Sequence, residues 1–465
     1  MSKPSPMKSS KTKSHYQTIV VGGGIVGAGI FRDLSLHGVE TLLIDKKDFA
    51  SQTSQSSSKM LHGGVRYLEN FDFKLVWEAL HEKNLWLKIA PHLAKESNFY
   101  FPIFKESKRP LWMIRIGLFL YDLLSWFQNS PHRILGRRKA EIEGIKTKGL
   151  SGSGVYYDAI VDDAKLTLEN IYDALQNTNC HALNYVGLDH FSKGDDGLYS
   201  CKLKDDLTGD ERLITCKELV IACGPFTDKL LENHSNIEWT PALLPTKGSH
   251  LWLKRDSLPI ANPMVLETKD GRIIFVIPQK NMILVGTTEE KIEGDYFDIS
   301  PSKDEVDYLI ECVNNYFPNS KVTLDHVLSA FAGIRPLVKE AGSNANKTAR
   351  EHKIFSPEKG LHVILGGKLT TFRVMGQEVC RSITKRFDIE FDKTKTLSSL
   401  RQKSVITSFT NIKVDEDVVK KVIKNESVRT LEDVLERRLG YPNEDHWDQK
   451  MTYKDCVELI KKLLN

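Results

Sequence analysis

The sequence predicts an α/β protein: a mostly parallel α/β lobe, interleaved with an α+β lobe built on an antiparallel sheet, and a small helical region at the C-terminus. Three observations carry this expectation. A β-rich apolar run at 18–21 leads into a glycine-rich turn, a helical pattern and a second apolar strand at 41–44. Short β-rich runs such as 273–277 and 282–285 alternate with turns across 240–325, as in an antiparallel sheet. Near the C-terminus a final helical stretch runs over about 453–464.

The first element is the most informative. The strand at 18–21 runs into Gly22-Gly23-Gly24-Ile25-Val26-Gly27, a G-x-G-x-x-G turn. Gly22 permits the tight turn, Gly24 lets the backbone approach a pyrophosphate, and Gly27 lets the helix pack on the strand. The helix carries Ile30, Leu34 and Leu36 and stops at His37-Gly38, where glycine suits a left-handed cap. The second strand ends at Asp45, placed to hydrogen-bond an adenosine ribose. Strand, turn, helix, strand and acid in register mark a Rossmann-type dinucleotide site, and the motif alone does not separate NAD from FAD.

The remaining elements fit around that start. A chain of 465 residues exceeds what one core usually organises. The expected layout is a dinucleotide lobe in three pieces, about 16–75, 150–235 and 325–395, with a helical insert at about 76–149 and a substrate lobe at about 240–325. The middle piece holds a helix at 163–176 and a strand at 218–222 that runs into Cys223-Gly224-Pro225. Near the end of the third piece, a strand at 362–365 turns through Gly366-Gly367-Lys368-Leu369-Thr370-Thr371 into a helix with Phe372, Met375, Val379 and Ile383 on one face. Such a helix N-terminus can stabilise the negative charge of a reduced flavin; its plain alternative is a β-to-α turn. There is no internal repeat and no second G-x-G-x-x-G, which argues against a disulfide-reductase layout with separate FAD and NAD(P) domains.

Composition narrows the class. Hydrophobic residues make up 40% and charged residues 27%, the balance of an ordinary soluble fold. The net charge of +4 comes from Lys3, Lys8, Lys11 and Lys13 in an acid-free start; without them 61 basic residues face 61 acidic ones, so nucleic acid is not an expected partner. Residues 1–15 read as a disordered basic tail without the apolar core of a signal peptide, and export is not expected. The seven cysteines form no C-x-x-C pair and no metal-ligand spacing; reduced thiols, a cytoplasmic setting and no metal are expected.

After the serine-rich stretch 51–58 the chain reads Ser56-Ser57-Ser58-Lys59, then His62-Gly63-Gly64-Val65-Arg66-Tyr67-Leu68-Glu69. Further on stand Trp112-Met113-Ile114-Arg115-Ile116-Gly117-Leu118, Lys247-Gly248-Ser249-His250, Phe275-Val276-Ile277-Pro278, Gly286-Thr287-Thr288 and Gly333-Ile334-Arg335-Pro336. With the 366–371 turn, these runs resemble, in order over roughly residues 16–385, the FAD-dependent glycerol-3-phosphate dehydrogenase family. The resemblance implies FAD as cofactor, held by Gly22, Gly24, Gly27, Asp45, Ser58, Lys59, His62, Gly63, Gly64, Gly224, Gly367, Lys368, Leu369 and Thr370. For His62 a local turn hydrogen bond is an equal alternative.

A phosphorylated polyol needs cations for its phosphate and a proton acceptor at the hydroxyl carbon. The resemblance places Arg66, Tyr67, His250, Arg350 and Lys368 in the substrate pocket, and Arg335 falls on another family motif. His250 is the expected base, because its ordinary pKa lies near neutrality, with Arg350 and Lys368 favouring the developing alkoxide. The bland readings are a loop ion pair for Arg335 and a core position for Tyr67. The expected reaction is oxidation of sn-glycerol 3-phosphate to dihydroxyacetone phosphate, with electrons passed to a quinone. Two competitors are carried: a flavin-dependent oxidase or dehydrogenase of another 2-hydroxy compound, and a catalytically silent flavin-binding partner protein. A homodimer is the assembly carried forward.

The stretch 109–128 is apolar and aromatic, but Arg115 and Asp122 interrupt it, so it does not read as a membrane span. Seven residues apart, the two share one face of a helix, which is either buried in a cap or seated in a bilayer interface. The resemblance favours peripheral attachment on the cytoplasmic face of the inner membrane. Departures from the family are Phe226 for a usual tryptophan, Glu289 for a usual aspartate, a short 279–281 loop without an aromatic, and a shortened helical region at 401–465. Within that region, 430–438 resembles a segment of the family's C-terminal domain.

Overall fold

The computed structural model describes residues 12–464, except 235–236, 280, 295, 340–351, 442–446 and 448. The chain forms two compact units: 1–55 with 162–245 and 335–465, and 56–161 with 246–334.

In the first unit the strands run in the order Lys353–Phe355, Leu361–Leu365, Glu211–Ile221, His15–Val21, Thr41–Asp45 and His181–Asn184. His15–Val21 pairs in parallel with both neighbours, Ile19 lying opposite Leu219 on one side and Leu42 on the other. Glu211–Ile221 pairs in parallel with Leu361–Leu365, and Thr41–Asp45 with His181–Asn184. Strand residues are apolar on both faces. Val20, Leu43, Val220 and Ile364 pack with Ile30, Phe31 and Leu34 of helix Ile25–Leu36, Leu168 and Ile171 of Asp163–Ala174, and Val379 and Ile383 of Phe372–Arg386. Ile19, Leu42, Leu219 and Val363 point the other way, onto Leu188, Phe191, Tyr199 and Leu203 of an antiparallel extension. Burial on both faces is the pattern of a parallel sheet.

In the second unit the strand order is Glu290–Lys291, Leu243–Lys254, Met282–Gly286, Ile273–Pro278, Met264–Glu267, Ala94–Phe104, Leu150–Val161 and Met60–Leu61, mostly antiparallel. Helix Lys303–Tyr316 covers its core through Leu309, Val313 and Tyr316. The helix starts in a capping box: Ser302 Oγ accepts from Glu305 N at 3.3 Å, while Glu305 Oε2 accepts from Ser302 N at 2.9 Å.

Four sequence expectations are corrected here. Residues 56–75 and 150–161, assigned to the dinucleotide lobe, lie in the second unit, because Leu150–Val161 pairs with Met60–Leu61 on one side and Ala94–Phe104 on the other. The 76–149 insert is not only helical; it contributes Ala94–Phe104 and Arg133–Gly136 to that sheet. Residues 1–11 of the expected tail lie outside the described residues, but 12–15 are fixed: Thr12 O accepts from Arg212 at 3.0 Å and Ser14 O from Thr215 N at 3.0 Å. Arg115 and Asp122 do not share a polar stripe on helix Leu111–Leu124. Arg115 is exposed, whereas Asp122 is buried and accepts from His132 N at 2.9 Å.

The outward face of that helix is instead apolar. Among the described residues, Phe71, Phe73, Trp77, Trp112, Met113, Ile116, Phe119, Leu123, Trp126 and Phe127 are exposed large hydrophobics, against only Leu207, Leu213, Leu324, Leu397 and Ile412 elsewhere. Phe71, Trp112 and Trp126 are 77%, 66% and 68% exposed. No helix among the described residues is long and apolar enough to cross a membrane.

Residues 401–465 carry a small core of their own, with Val414, Val418, Val422, Leu435 and Ile460, yet cluster with the first unit.

Candidate functional site

In the first unit three turns follow the C-terminal ends of adjacent parallel strands: 22–27 after His15–Val21, 223–226 after Glu211–Ile221, and 366–371 after Leu361–Leu365. Open α/β sheets bind their ligands at this edge. Gly22 has φ +108°, and a Cβ on it would lie 2.4 Å from Ala222 O; a Cβ on Gly27 would lie 1.8 Å from Gly22 O. Only bare backbone fits, so the N-terminus of Ile25–Leu36 is pressed against the turn. Its first turn carries no acid, and Ile25 N donates to Ser54 Oγ at 2.8 Å. Asp45 accepts from Gly23 N at 2.6 Å and from Lys47 N at 2.8 Å. Burial pushes its carboxyl up to about 7, against those two N–H bonds. A carboxylate offers about four lone-pair sites, so two remain for ribose hydroxyls. The bare cradle, the acid-free helix end and Asp45 fit the adenosine diphosphate half of FAD.

Gly224 and Gly367 adopt φ +54° and +86°. A Cβ on Gly367 would lie 2.4 Å from Met375 Sδ, which fixes the turn on the helix it opens. Lys368 precedes the single turn Leu369–Thr371, and Thr370 is buried. The helices Ile25–Leu36 and Phe372–Arg386 meet closely at glycines: a Cβ on Gly376 would lie 3.0 Å from the Gly29 backbone. Arg335 is half-buried in strand Val327–Val338, and Arg350 lies outside the described residues.

In the second unit His250 is buried, with Nε2 2.9 Å from Ser58 Oγ and its ring stacked on Phe331 at 5.0 Å. Gly286 lies opposite it in the ladder, and a Cβ there would sit 2.1 Å from His250 Cδ2. Lys59 lies 5.8 Å from the same Phe331 ring, and His62 is tilted against Phe275 at 6.4 Å. Gly63 sits on Leu80 and Tyr121, with 2.5 and 2.6 Å left for a Cβ, and Gly64 has φ +75° against Tyr67. The chain then enters the short turn Val65–Asn70, where Arg66 is exposed and Tyr67 half-buried.

Two supporting groups escape sequence reasoning. Asp158 accepts from Tyr121 Oη at 2.8 and 2.9 Å and from Gly63 N at 3.4 Å, with Lys83 Nζ at 3.6 Å. Burial pushes Asp158 up to about 6 and pulls Lys83 down, each against the pull of the other. This pair underlies the 62–66 turn. Lys83 continues the buried face of Val76, Ala79 and Leu80, a cation at an apolar position that could have flagged it. The second group is Glu305, which accepts from Ser249 Oγ at 2.7 Å, Thr288 Oγ1 at 2.6 Å and Lys247 Nζ at 2.8 Å, tying two motif runs together. Burial opposes its ionisation, but these hydrogen bonds, Lys247 foremost, hold it at about 2.

A buried trio, Asp33, His37 and Cys380, has donor atoms within 4.8 Å of one another. His37 Nε2 accepts from Asp392 N at 3.0 Å, which assigns the ring proton to Nδ1, facing Asp33 at 3.1 Å; burial pushes the Cys380 thiol up.

A family model described as FAD dependent oxidoreductase matches residues 17–381. The glycerol-3-phosphate dehydrogenase of Synechocystis sp. is 35% identical over 384 residues, covering 78% of this chain and 69% of that protein. The aerobic glycerol-3-phosphate dehydrogenase of Staphylococcus aureus is 32% identical over 393 residues, covering 83% and 70%. The structure of the Bacillus halodurans glycerol-3-phosphate dehydrogenase complexed with FAD matches with a TM-score of 0.68 at 28% identity, covering 83% of this chain and 68% of that one.

Proposed function

The chain belongs to the FAD-dependent oxidoreductase family, and from that premise we propose that it oxidises sn-glycerol 3-phosphate to dihydroxyacetone phosphate and passes the electrons to a quinone. The observation that carries the reading is the buried Ser58–His250 pair at 2.9 Å, set among the motif runs of the second unit. FAD, held by the 22–27 turn and Asp45, would supply the hydride acceptor for the hydroxyl carbon. His250 is the base: Ser58 Oγ, which occupies its Nε2, takes the hydroxyl proton as it passes its own to that nitrogen, and Phe331 fixes the ring from its face. In the second unit, Arg66 binds the phosphate with Tyr67 as a further donor.

The test is anaerobic flavin reduction in Arg66→Gln. Losing one charge-assisted phosphate contact should weaken glycerol 3-phosphate about 10- to 100-fold and leave a non-phosphorylated 2-hydroxy acid nearly unchanged. Equal weakening of both would favour a different 2-hydroxy substrate.

The apolar face of Leu111–Leu124 supports seating in a bilayer interface, where a quinone dissolves. The exposed cations Lys74, Arg115, Arg133, Arg137, Arg138 and Lys139 suit anionic headgroups. Wild-type protein should sediment with vesicles containing anionic lipid, and W112S/F119S/W126S should stay in the supernatant. Sedimentation of both alike would remove this face from the account.

A further inference from the structure

The 430–438 segment takes no part in the chemistry above, yet it ends in a buried charge cluster of the first unit. We propose that Arg437 and Arg438 are positioning residues for the cofactor, and that through Asp48 the C-terminal segment sets the affinity of the first unit for the adenosine half of FAD. The inference rests on the reading that the 22–27 turn and Asp45 take the pyrophosphate and ribose.

Asp48 is fully buried and accepts from Arg437 Nε at 2.6 Å, Arg438 Nη2 at 3.0 Å and Asn184 Nδ2 at 2.8 Å, with Arg438 Nη1 in a further contact. The arginines are held from behind. Arg437 donates to Asp433 at 2.9 Å, Arg438 Nε to Glu426 O at 3.0 Å, and Asp433 accepts from Tyr185 Oη at 2.6 Å.

The 45–50 loop is fixed on its other side to the phosphate turn. Gly23 N donates to Asp45 at 2.6 Å, Ala50 N donates to Gly23 O at 3.1 Å, and a Cβ on Gly23 would lie 2.4 Å from the Phe49 ring. One six-residue loop therefore carries the ribose acid, backs the glycine turn and ends on the C-terminal arginines. Burial works against the charge on Asp48, but Arg438 and then Arg437 hold it below the ordinary carboxylate range. A buried ion cluster contributes little net stability, so one placed here serves better to fix geometry. Small displacements of binding groups cost affinity steeply.

The test uses the full-length apoprotein. D48N/R438Q removes one charge of each sign and leaves Arg437 on Asp433. Its melting temperature is recorded, then its Kd for FAD by flavin fluorescence and for ADP by calorimetry. Both Kd values should rise about tenfold or more, by the same factor, since the lost contact serves only the adenosine end. R438K, which keeps the charge and loses the fork, should fall between. Unchanged Kd values in the folded variant overturn the proposal.

Should D48N/R438Q fail to fold, hydrogen exchange on the wild-type chain decides. FAD should slow exchange at 433–439 together with 22–27 and 45–50. Protection at 22–27 and 45–50 without 433–439 overturns the proposal, whereas no protection at 22–27 would instead sink the cofactor-site reading on which it rests.

Discussion

The two units each support a glycine turn with a buried ion pair, and the pairs differ in charge balance. Under the 22–27 turn, Asp48 faces two guanidiniums and stays ionised. Under the 62–66 turn, Asp158 faces one ammonium at 3.6 Å and is pushed up to about 6, while Lys83 is pulled down. Guanidinium forks cannot release a proton, so the first support is fixed across the working pH range. A single lysine and a carboxylate can trade one, so the second support titrates. The 22–27 turn thus rests on a permanent charge cluster, and the motif turn bearing Arg66 on an adjustable one.

The largest break of this comparison is Arg438→Met. It leaves Asp48 buried with one cation, and removing one partner of a buried pair costs about 3–5 kcal/mol. The first unit should melt well below wild type in calorimetry, with little dependence on pH between 5 and 8. Lys83→Met should cost less, about 1–3 kcal/mol, because Asp158 can take up a proton in place of the lost ion. Asp158 has a folded pKa above its unfolded value, so its contribution is full below about pH 4 and is lost as pH rises through about 6. The Lys83→Met penalty, read as melting temperature, should accordingly be larger at pH 8 than at pH 5. A penalty independent of pH would show that the pair does not titrate.

How much of this was legible follows from distance along the chain. The 22–27 and 366–371 turns could be read because their glycines, strands and helices are contiguous and the required φ angles admit little else. The division into units could not, because nothing local to 150–161 shows that it pairs with Ala94–Phe104 rather than joining the parallel sheet. The 430–438 segment was visible as a resemblance, while the partner that gives it meaning, Asp48, lies 389 residues before Arg437. The helix Leu111–Leu124 could be placed, but not the separation of Arg115 from Asp122, because the partner that holds Asp122 inside, His132, lies beyond the helix.

Glu305 sharpens the comparison from the opposite sign. Held at about 2, it contributes stability that is present above about pH 4.5 and lost as pH falls towards 2. Glu305→Gln keeps the two hydroxyl bonds on one oxygen but sets an amide nitrogen against Lys247 Nζ and Ser302 N, should cost about 1–3 kcal/mol at pH 7, and should flatten the acid limb of the melting curve. An unchanged acid limb would assign the limb to other carboxylates. The smallest effect belongs to Trp112→Ser, within about 0.5 kcal/mol of wild type, since its ring is mostly in water.

The most direct test is an anaerobic visible spectrum of the FAD-loaded protein titrated with glycerol 3-phosphate, then mixed with a quinone analogue or with air. The account predicts that the flavin band bleaches with the substrate and returns faster with the quinone than with air. A flavin band that glycerol 3-phosphate leaves unchanged would contradict it.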